Sequence, residues 1–193
     1  IVKTSSVTDK LRTNFESATR KVFDVQVGFK YIAEKMIQED IVFGCEESGG
    51  YGYKNHIPER DGILSAFILM EMLANSNYTK LSEYVTNKRE TFGNIYYDRI
   101  DYHFDKPNRT ELLPELFSNP PQNICGFAVT NIDSFCSSRG IINGLKFRLA
   151  GNPRWLLLRA SETEPLVRIY SEAESDDEVK NILEFGKKIV DGI

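Results

Sequence analysis

The rhythm of apolar residues changes once along this chain of 193 residues, near residues 89–93, and that change restricts the fold more than any other feature. Before it, short strand-like runs alternate with helix-like ones. Ile1 to Ser5 reads as a strand, and Ser6 is placed to cap a helix carrying Leu11, Phe15 and Ala18 on one face. Val22 to Val27 reads as a second strand. Gly28 then opens a helix with Tyr31, Ile32, Lys35 and Met36 along one side, and Ile41-Val42-Phe43 reads as a short buried strand. Asp61 starts a long apolar helix from Ile63 to Leu73, followed by another near Thr79 to Lys88. Strands alternating with helices predict an α/β domain over residues 1–90 with a mixed, mostly parallel sheet.

After Phe92 strands dominate. Asn94 to Phe104 alternates imperfectly through Ile95, Tyr97, Ile100, Tyr102 and Phe104, which predicts a bulge. Further strands are expected over residues 124–132, 140–149, 154–158 and 166–172. Arg109 to Phe117 is a helix candidate weakened by Pro114. Asp176 to Val190 closes the chain as an amphipathic helix. Ser175 caps it, and Asp176, Asp177 and Glu178 sit at its positive end. Residues 91–193 therefore read as an α+β domain, an antiparallel sheet flanked by helices. There are no repeats and no low-complexity linker.

Composition excludes several function classes. A formal net charge of -4 presents no basic field to nucleic acid or to an anionic membrane. An anionic ligand would have to be held by local Arg and Lys. Cys45, Cys125 and Cys136 form no CxxC, and His56 and His103 sit near none of them, so no metal site is expected in this chain. Scattered cysteines predict reduced thiols and a cytoplasmic setting. No apolar run approaches the ~18 residues of a membrane span, and there is no signal-peptide pattern. The chain starts at Ile1, inside a strand-like run, and so reads as a piece of a longer protein cut within a domain.

Three segments carry chemistry. Arg159-Ala160-Ser161-Glu162-Thr163-Glu164-Pro165 joins two apolar runs, Trp155 to Leu158 and Leu166 to Tyr170, by a tight strand-to-strand connection. A fixed guanidinium, two hydroxyls and main-chain amides in one loop suit phosphate oxygens. The alternative is a surface turn whose Arg pairs with Glu164. The second segment, Gly44-Cys45-Glu46-Glu47-Ser48-Gly49-Gly50, follows a strand end in an α/β sheet, where ligands usually bind. Glu46 and Ser48 could bond sugar hydroxyls while the glycines admit a close ligand. The alternative is a flexible turn with solvated carboxylates. The third, Val27-Gly28-Phe29-Lys30, puts Lys30 near a helix N-terminus where amides already favour an anion; alternatively it is a surface lysine. A phosphorylated sugar needs such a pair of grips, one for hydroxyls and one for phosphate.

Together these segments resemble the α-D-phosphohexomutases, the phosphoglucomutase/phosphomannomutase superfamily. Residues 44–50 look like that family's sugar loop, usually GEESG or GEMSG, and Arg159 to Pro165 resembles its phosphate loop, usually R-x-S-G/N-T-E/T-P. Val27 to Lys30 looks like its TGxK-type segment, and Arg60-Asp61-Gly62 like the (K/R)DG that opens the next helix. The resemblance spans nearly the whole chain in the right order. It implies most of the third domain and all of a fourth, TATA-binding-protein-like domain of a four-domain enzyme. Glu46, Ser48 and Lys30 would then hold the sugar, and Arg159, Ser161, Glu162 and Thr163 the phosphate that is not transferred.

In that family a phosphoserine of the first domain phosphorylates the sugar, a bisphosphorylated hexose such as glucose 1,6-bisphosphate turns over, and Mg²⁺ sits in the second domain. Neither a T-A-S-H-N-P serine motif nor a D-G-D-x-D-R metal loop occurs here. The expected partners are a phosphorylated hexose and the family's first two domains, and the chain alone is expected to bind without catalysing. Glu162 stands where the family has Gly or Asn, and Cys45 where it has Gly. Gly50, where some mannose-type and glucosamine-type members carry His, places the loop nearer the glucose type. A free-standing phosphosugar-binding module is the alternative function.

Overall fold

The computed structural model describes residues 1–104, 109–137, 139–161 and 164–192, and of Arg109 and Thr110 only the backbone. The chain divides into two compact units, Ile1–Asn94 and Ile95–Ile193.

In the first unit, strands β1 (Val2–Thr4), β2 (Phe23–Val25), β3 (Phe43–Cys45) and β4 (Tyr51–Tyr53) form a sheet in the order β2-β1-β3-β4. The first three are parallel and β4 pairs antiparallel with β3. Helices α1 (Lys10–Phe15), α2 (Phe29–Gln38), α3 (Gly62–Ala74) and α4 (Leu81–Phe92) complete the unit. Phe29 and Ile32 of α2 pack with Val2 and Ile41 in its core. Gly44 is required there, because a Cβ would lie 2.5 Å from Ile32 Cγ2. Parallel pairing sends the chain out of β1, β2 and β3 at one edge of the sheet, where Ser5–Ser6, Gln26–Gly28 and Glu46–Gly49 follow.

In the second unit, an antiparallel sheet runs β5-β10-β9-β8-β7-β6. Its strands are β5 (Tyr96–His103), β6 (Asn123–Ile124), β7 (Phe127–Cys136), β8 (Ile142–Leu149), β9 (Trp155–Ala160) and β10 (Leu166–Ala173). Helices α5 (Arg109–Ser118) and α6 (Asp176–Gly192) supply Leu112, Leu113, Val179, Ile182, Leu183 and Val190 to the core on one face, against residues such as Phe147, Leu156, Leu158 and Ile169. Alternation along each strand delivers that face. At Gly186 a Cβ would lie 2.7 Å from Ile169 Cγ2, so a glycine lets α6 approach the sheet closely. Ser175 caps α6 as expected, its Oγ accepting the Glu178 N–H at 3.3 Å.

Both predicted fold classes are present, with several local corrections. Ser6 caps no helix. Asp9 stands at the N-cap of α1, and the Ser6 hydroxyl bonds Glu47 instead. Ala18 lies beyond α1, which stops where Glu16 turns extended. The third strand is Phe43–Cys45, not Ile41–Phe43, and Val42 is 62% exposed. The expected bulge is absent from β5, which pairs residue for residue with β10. Its alternation is imperfect because Tyr96, Ile100 and Tyr102 face the helix-covered core, while on the other face Tyr97 packs on Trp155 beside the polar Arg99 and Asp101. The register shifts fall in β7. The run over residues 124–132 is broken by a two-residue turn at Cys125 and Gly126, with φ 51° and 84°.

Candidate functional site

Glu46 to Gly50 form the turn of the β3–β4 hairpin. The Glu46 N–H donates to the Gly50 carbonyl at 2.9 Å and the Gly49 N–H to the Glu46 carbonyl at 3.2 Å. Gly49, at φ 84°, adopts a conformation that favours glycine. The Glu46 side chain is almost fully buried, 3.6 Å from the Arg60 guanidinium, which itself lies over the Phe29 ring. Gly50 makes room for this arrangement, since a Cβ would lie 2.6 Å from Arg60 Cδ. Adjacent residues of a turn can point apart, and Glu47 reaches the end of β1. It accepts from Ser6 Oγ at 2.6 Å and from Thr4 Oγ1 at 3.3 Å. Ser48 is exposed at the tip.

Lys30 lies in the first turn of α2, after Gly28 at φ 131°, and is exposed with its Nζ 4.7 Å from the Tyr31 ring centroid. Parallel pairing thus brings Lys30, Glu46 and Ser48 to one edge of the sheet. Helix α3 starts beside the same loop. Asp61 caps it by accepting the Leu64 N–H at 2.8 Å. That bond, and a second from His56, hold the Asp61 carboxyl below the usual aspartate pKa. Burial pushes the Cys45 thiol up to about 11, against the opposing charge of Lys3. Cys45 is therefore a packing residue.

Arg159 and Ser161 belong to the second unit. Arg159 lies on β9, facing Arg168 of β10 and Gly144 of β8 in register. Arg168 is engaged by Glu164 at 3.0 Å and lies 3.7 Å from Asp101. Arg159 Nε, like Arg168 Nε, is buried with no hydrogen-bond partner among the described residues, but Arg168 has the Glu164 and Asp101 carboxylates beside it. Ser161 is buried; its N–H donates to the Leu166 carbonyl and its Oγ accepts the Glu164 N–H at 3.1 Å. This closes the connection at its base and leaves the Ser161 proton for donation. Glu162 and Thr163 lie outside the described residues.

Sequence reasoning assigns no contact to Arg60, Glu47 or Arg168: Arg60 stands in the motif that opens a helix, Glu47 within the sugar-loop motif, and Arg168 in a strand. The contacts of Glu47 and Arg60 form only when the turn, β1 and the α3 start meet, so no local pattern marks them. Among the described residues, no group of three or more His, Cys, Asp or Glu could hold a metal ion, and no helix is long and apolar enough to cross a membrane. The described residues do not fit a magnesium site.

Residues 1–92 match the family model for the phosphoglucomutase/phosphomannomutase alpha/beta/alpha domain III, and residues 106–186 that for the phosphoglucomutase/phosphomannomutase C-terminal domain. The phosphoglucosamine/phosphogalactosamine mutase of Sulfurisphaera tokodaii is 30% identical over 168 residues, 86% of this chain and 33% of that protein. The solved open form of the Paramecium exocytosis-sensitive phosphoprotein pp63/parafusin, a phosphoglucomutase, matches with TM-score 0.70 at 25% identity. That match covers 98% of this chain and 37% of the Paramecium chain. The Aspergillus fumigatus N-acetylphosphoglucosamine mutase, solved with GlcNAc-6P and magnesium, shares the fold at TM-score 0.58 and 12% identity, over 98% and 40% of the two chains. This chain spans about a third of the length of the curated relatives it matches. Two consecutive domains of one family, matched in order and carrying both loops, establish that the chain belongs to the phosphoglucomutase/phosphomannomutase family.

Proposed function

We propose that this chain is the substrate-holding part of a phosphohexomutase, an intramolecular phosphotransferase of the isomerase class that interconverts hexose 1-phosphate and hexose 6-phosphate. Residues 1–90, the family's third domain, hold the hexose hydroxyls through Glu46 and Ser48, with Lys30 as a mobile cation. Residues 91–193, the fourth, hold the phosphate that is not transferred through Arg159, Ser161, Glu162 and Thr163. The observation that carries this reading is Arg159. Its buried guanidinium nitrogen has no hydrogen-bond partner among the described residues, which is costly unless a further group such as a ligand completes it. A phosphate oxygen beside the Ser161 hydroxyl would do so.

The full enzyme would draw its phosphoserine and its Mg²⁺ site from the family's first two domains, with glucose 1,6-bisphosphate as the intermediate. A glucose 1,6-bisphosphate complex has been solved for a serine-to-alanine form of the Aspergillus fumigatus enzyme. The magnesium would supply electrostatic support for phosphoryl transfer. These 193 residues contain neither the serine motif nor the metal loop, so the chain alone binds weakly and does not turn over. Gly50, where some mannose-type and glucosamine-type members of the family carry His, places the loop nearer the glucose type. The three free cysteines fit a cytoplasmic setting.

The test is a heteronuclear NMR titration of this chain with glucose 1-phosphate, mannose 1-phosphate and inorganic phosphate. Amides of residues 159–165 are expected to shift with all three, and those of Glu46 to Gly50 only with the sugars, more with glucose 1-phosphate. Unmoved amides in both loops at millimolar ligand would overturn the reading.

A further inference from the structure

The turn that presents Glu46 and Ser48 is closed by two backbone hydrogen bonds, both on Glu46, while Gly49 and Gly50 add freedom in place of side chains. Glu47 is the side chain that reaches from this turn back to the sheet. Its Oε2 takes the Ser6 hydroxyl at 2.6 Å and the Thr4 hydroxyl at 3.3 Å, and those two hydroxyls lie 3.0 Å from each other. Thr4 and Ser6 are fully buried at the end of β1, the central strand of the parallel set. A bond of 2.6 Å between a hydroxyl and a carboxylate is short and charge-assisted, the stronger kind of hydrogen bond.

We propose that Glu47 is a positioning residue for hexose recognition, a strut through which Ser6 and Thr4 fix the turn so that Glu46 and Ser48 meet the sugar hydroxyls. This rests on the sugar-holding role proposed above for that turn. Glu46 and Glu47 thereby divide the work: one carboxylate lies beside Arg60, and its neighbour ties the turn to the strand beneath. The strut needs an acceptor oxygen, not a negative charge. Glutamine serves in its place, whereas leucine, of similar size, does not. Without the strut the turn must be ordered by the ligand itself, which lowers hexose affinity and leaves phosphate capture by Arg159 untouched.

The experiment compares wild-type chain with Glu47→Leu, Glu47→Gln and Ser6→Ala by amide relaxation of residues 46–50 and by titration with glucose 1-phosphate and with inorganic phosphate. Glu47→Leu and Ser6→Ala are expected to loosen the turn and to weaken glucose 1-phosphate on the order of tenfold. Inorganic phosphate affinity should hold, and Glu47→Gln should behave like wild type. Unchanged turn order or unchanged hexose affinity in Glu47→Leu overturns the proposal, as does Glu47→Gln failing like Glu47→Leu. Ser6→Ala, which leaves the turn's own sequence intact, reports the strut should Glu47→Leu not fold. A wild-type chain whose residues 46–50 ignore glucose 1-phosphate refutes the parent reading instead. The relaxation data then still decide whether the strut orders the turn.

Discussion

Lys3 is fully buried in β1, with its ammonium 2.7 Å from Asp24 and 3.0 Å from Asp9 and donating to the Val7 carbonyl. Lys3→Met keeps the volume of the stem and removes the charge, leaving two carboxylates facing each other near the end of the sheet. At about 3 Å and an effective dielectric of about 20, each attraction lost is roughly 5–6 kcal/mol, largely offset by the cost of having buried the ions. Breaking such a pair from one side costs about 3–5 kcal/mol net. Both aspartates keep 13% exposure and Arg12 lies 3.3 Å from Asp24, so the lower end applies, about 3 kcal/mol. For a unit of this size that corresponds to a fall in Tm of roughly 12–24 °C. Hydrogen exchange gives the sharper readout. The amides of Val2–Thr4 and Phe23–Val25 should exchange on the order of a hundredfold faster in Lys3→Met. Adding Asp24→Asn should restore part of the protection, because one uncompensated charge is then gone. Less than a tenfold change in exchange across β1 and β2 would refute the argument that this ion cluster holds the first sheet together.

Arg159→Ala should weaken both inorganic phosphate and hexose phosphates by about 1.5–3 kcal/mol, the worth of a charge-assisted bond, measured by calorimetric titration. Glu46→Ala should weaken glucose 1-phosphate and spare inorganic phosphate, and equal losses would sink the division of labour between the loops. The depressed Asp61 carboxyl means that its cap is complete above the ordinary aspartate pKa. Its contribution is lost as pH falls through the lowered value, so α3 amides should lose protection below about pH 4 in wild type and show no such pH step in Asp61→Asn. With its thiol raised to about 11, Cys45 should react with a thiol reagent at pH 8 far more slowly than exposed Cys136, as mapped by mass spectrometry.

The architecture was legible wherever it follows from local periodicity. The switch from alternating strands and helices to an antiparallel sheet, the closing helix with its Ser175 cap, and the apolar runs of β9 and β10 could all be read directly, because alternation and capping act over a few residues. Of the proposed site, Glu46, Ser48 and Arg159 stand out by residue type within their loops. The groups that steer them do not: Glu47 meets Ser6 across 41 positions, and Lys3 is an ordinary lysine in the sequence until Asp9 and Asp24 close on it. Ser6 misled for the same reason. A serine before a helical run suits a cap, and only tertiary contact shows that its hydroxyl is already in use.

The parallel set β1, β2 and β3 has a consequence for how such a chain can change. All three strands deliver their following segments to one edge, so substitutions in three short stretches can change that edge together without altering the parallel register of the strands. The second unit differs, because from β6 to β10 its antiparallel ladder returns each strand beside the last. The connection between β9 and β10 is instead pinned at both ends by Ser161 and Leu166. On the roles proposed above, divergence among such chains should concentrate in the segments at that edge, while the pinned β9–β10 connection stays constant.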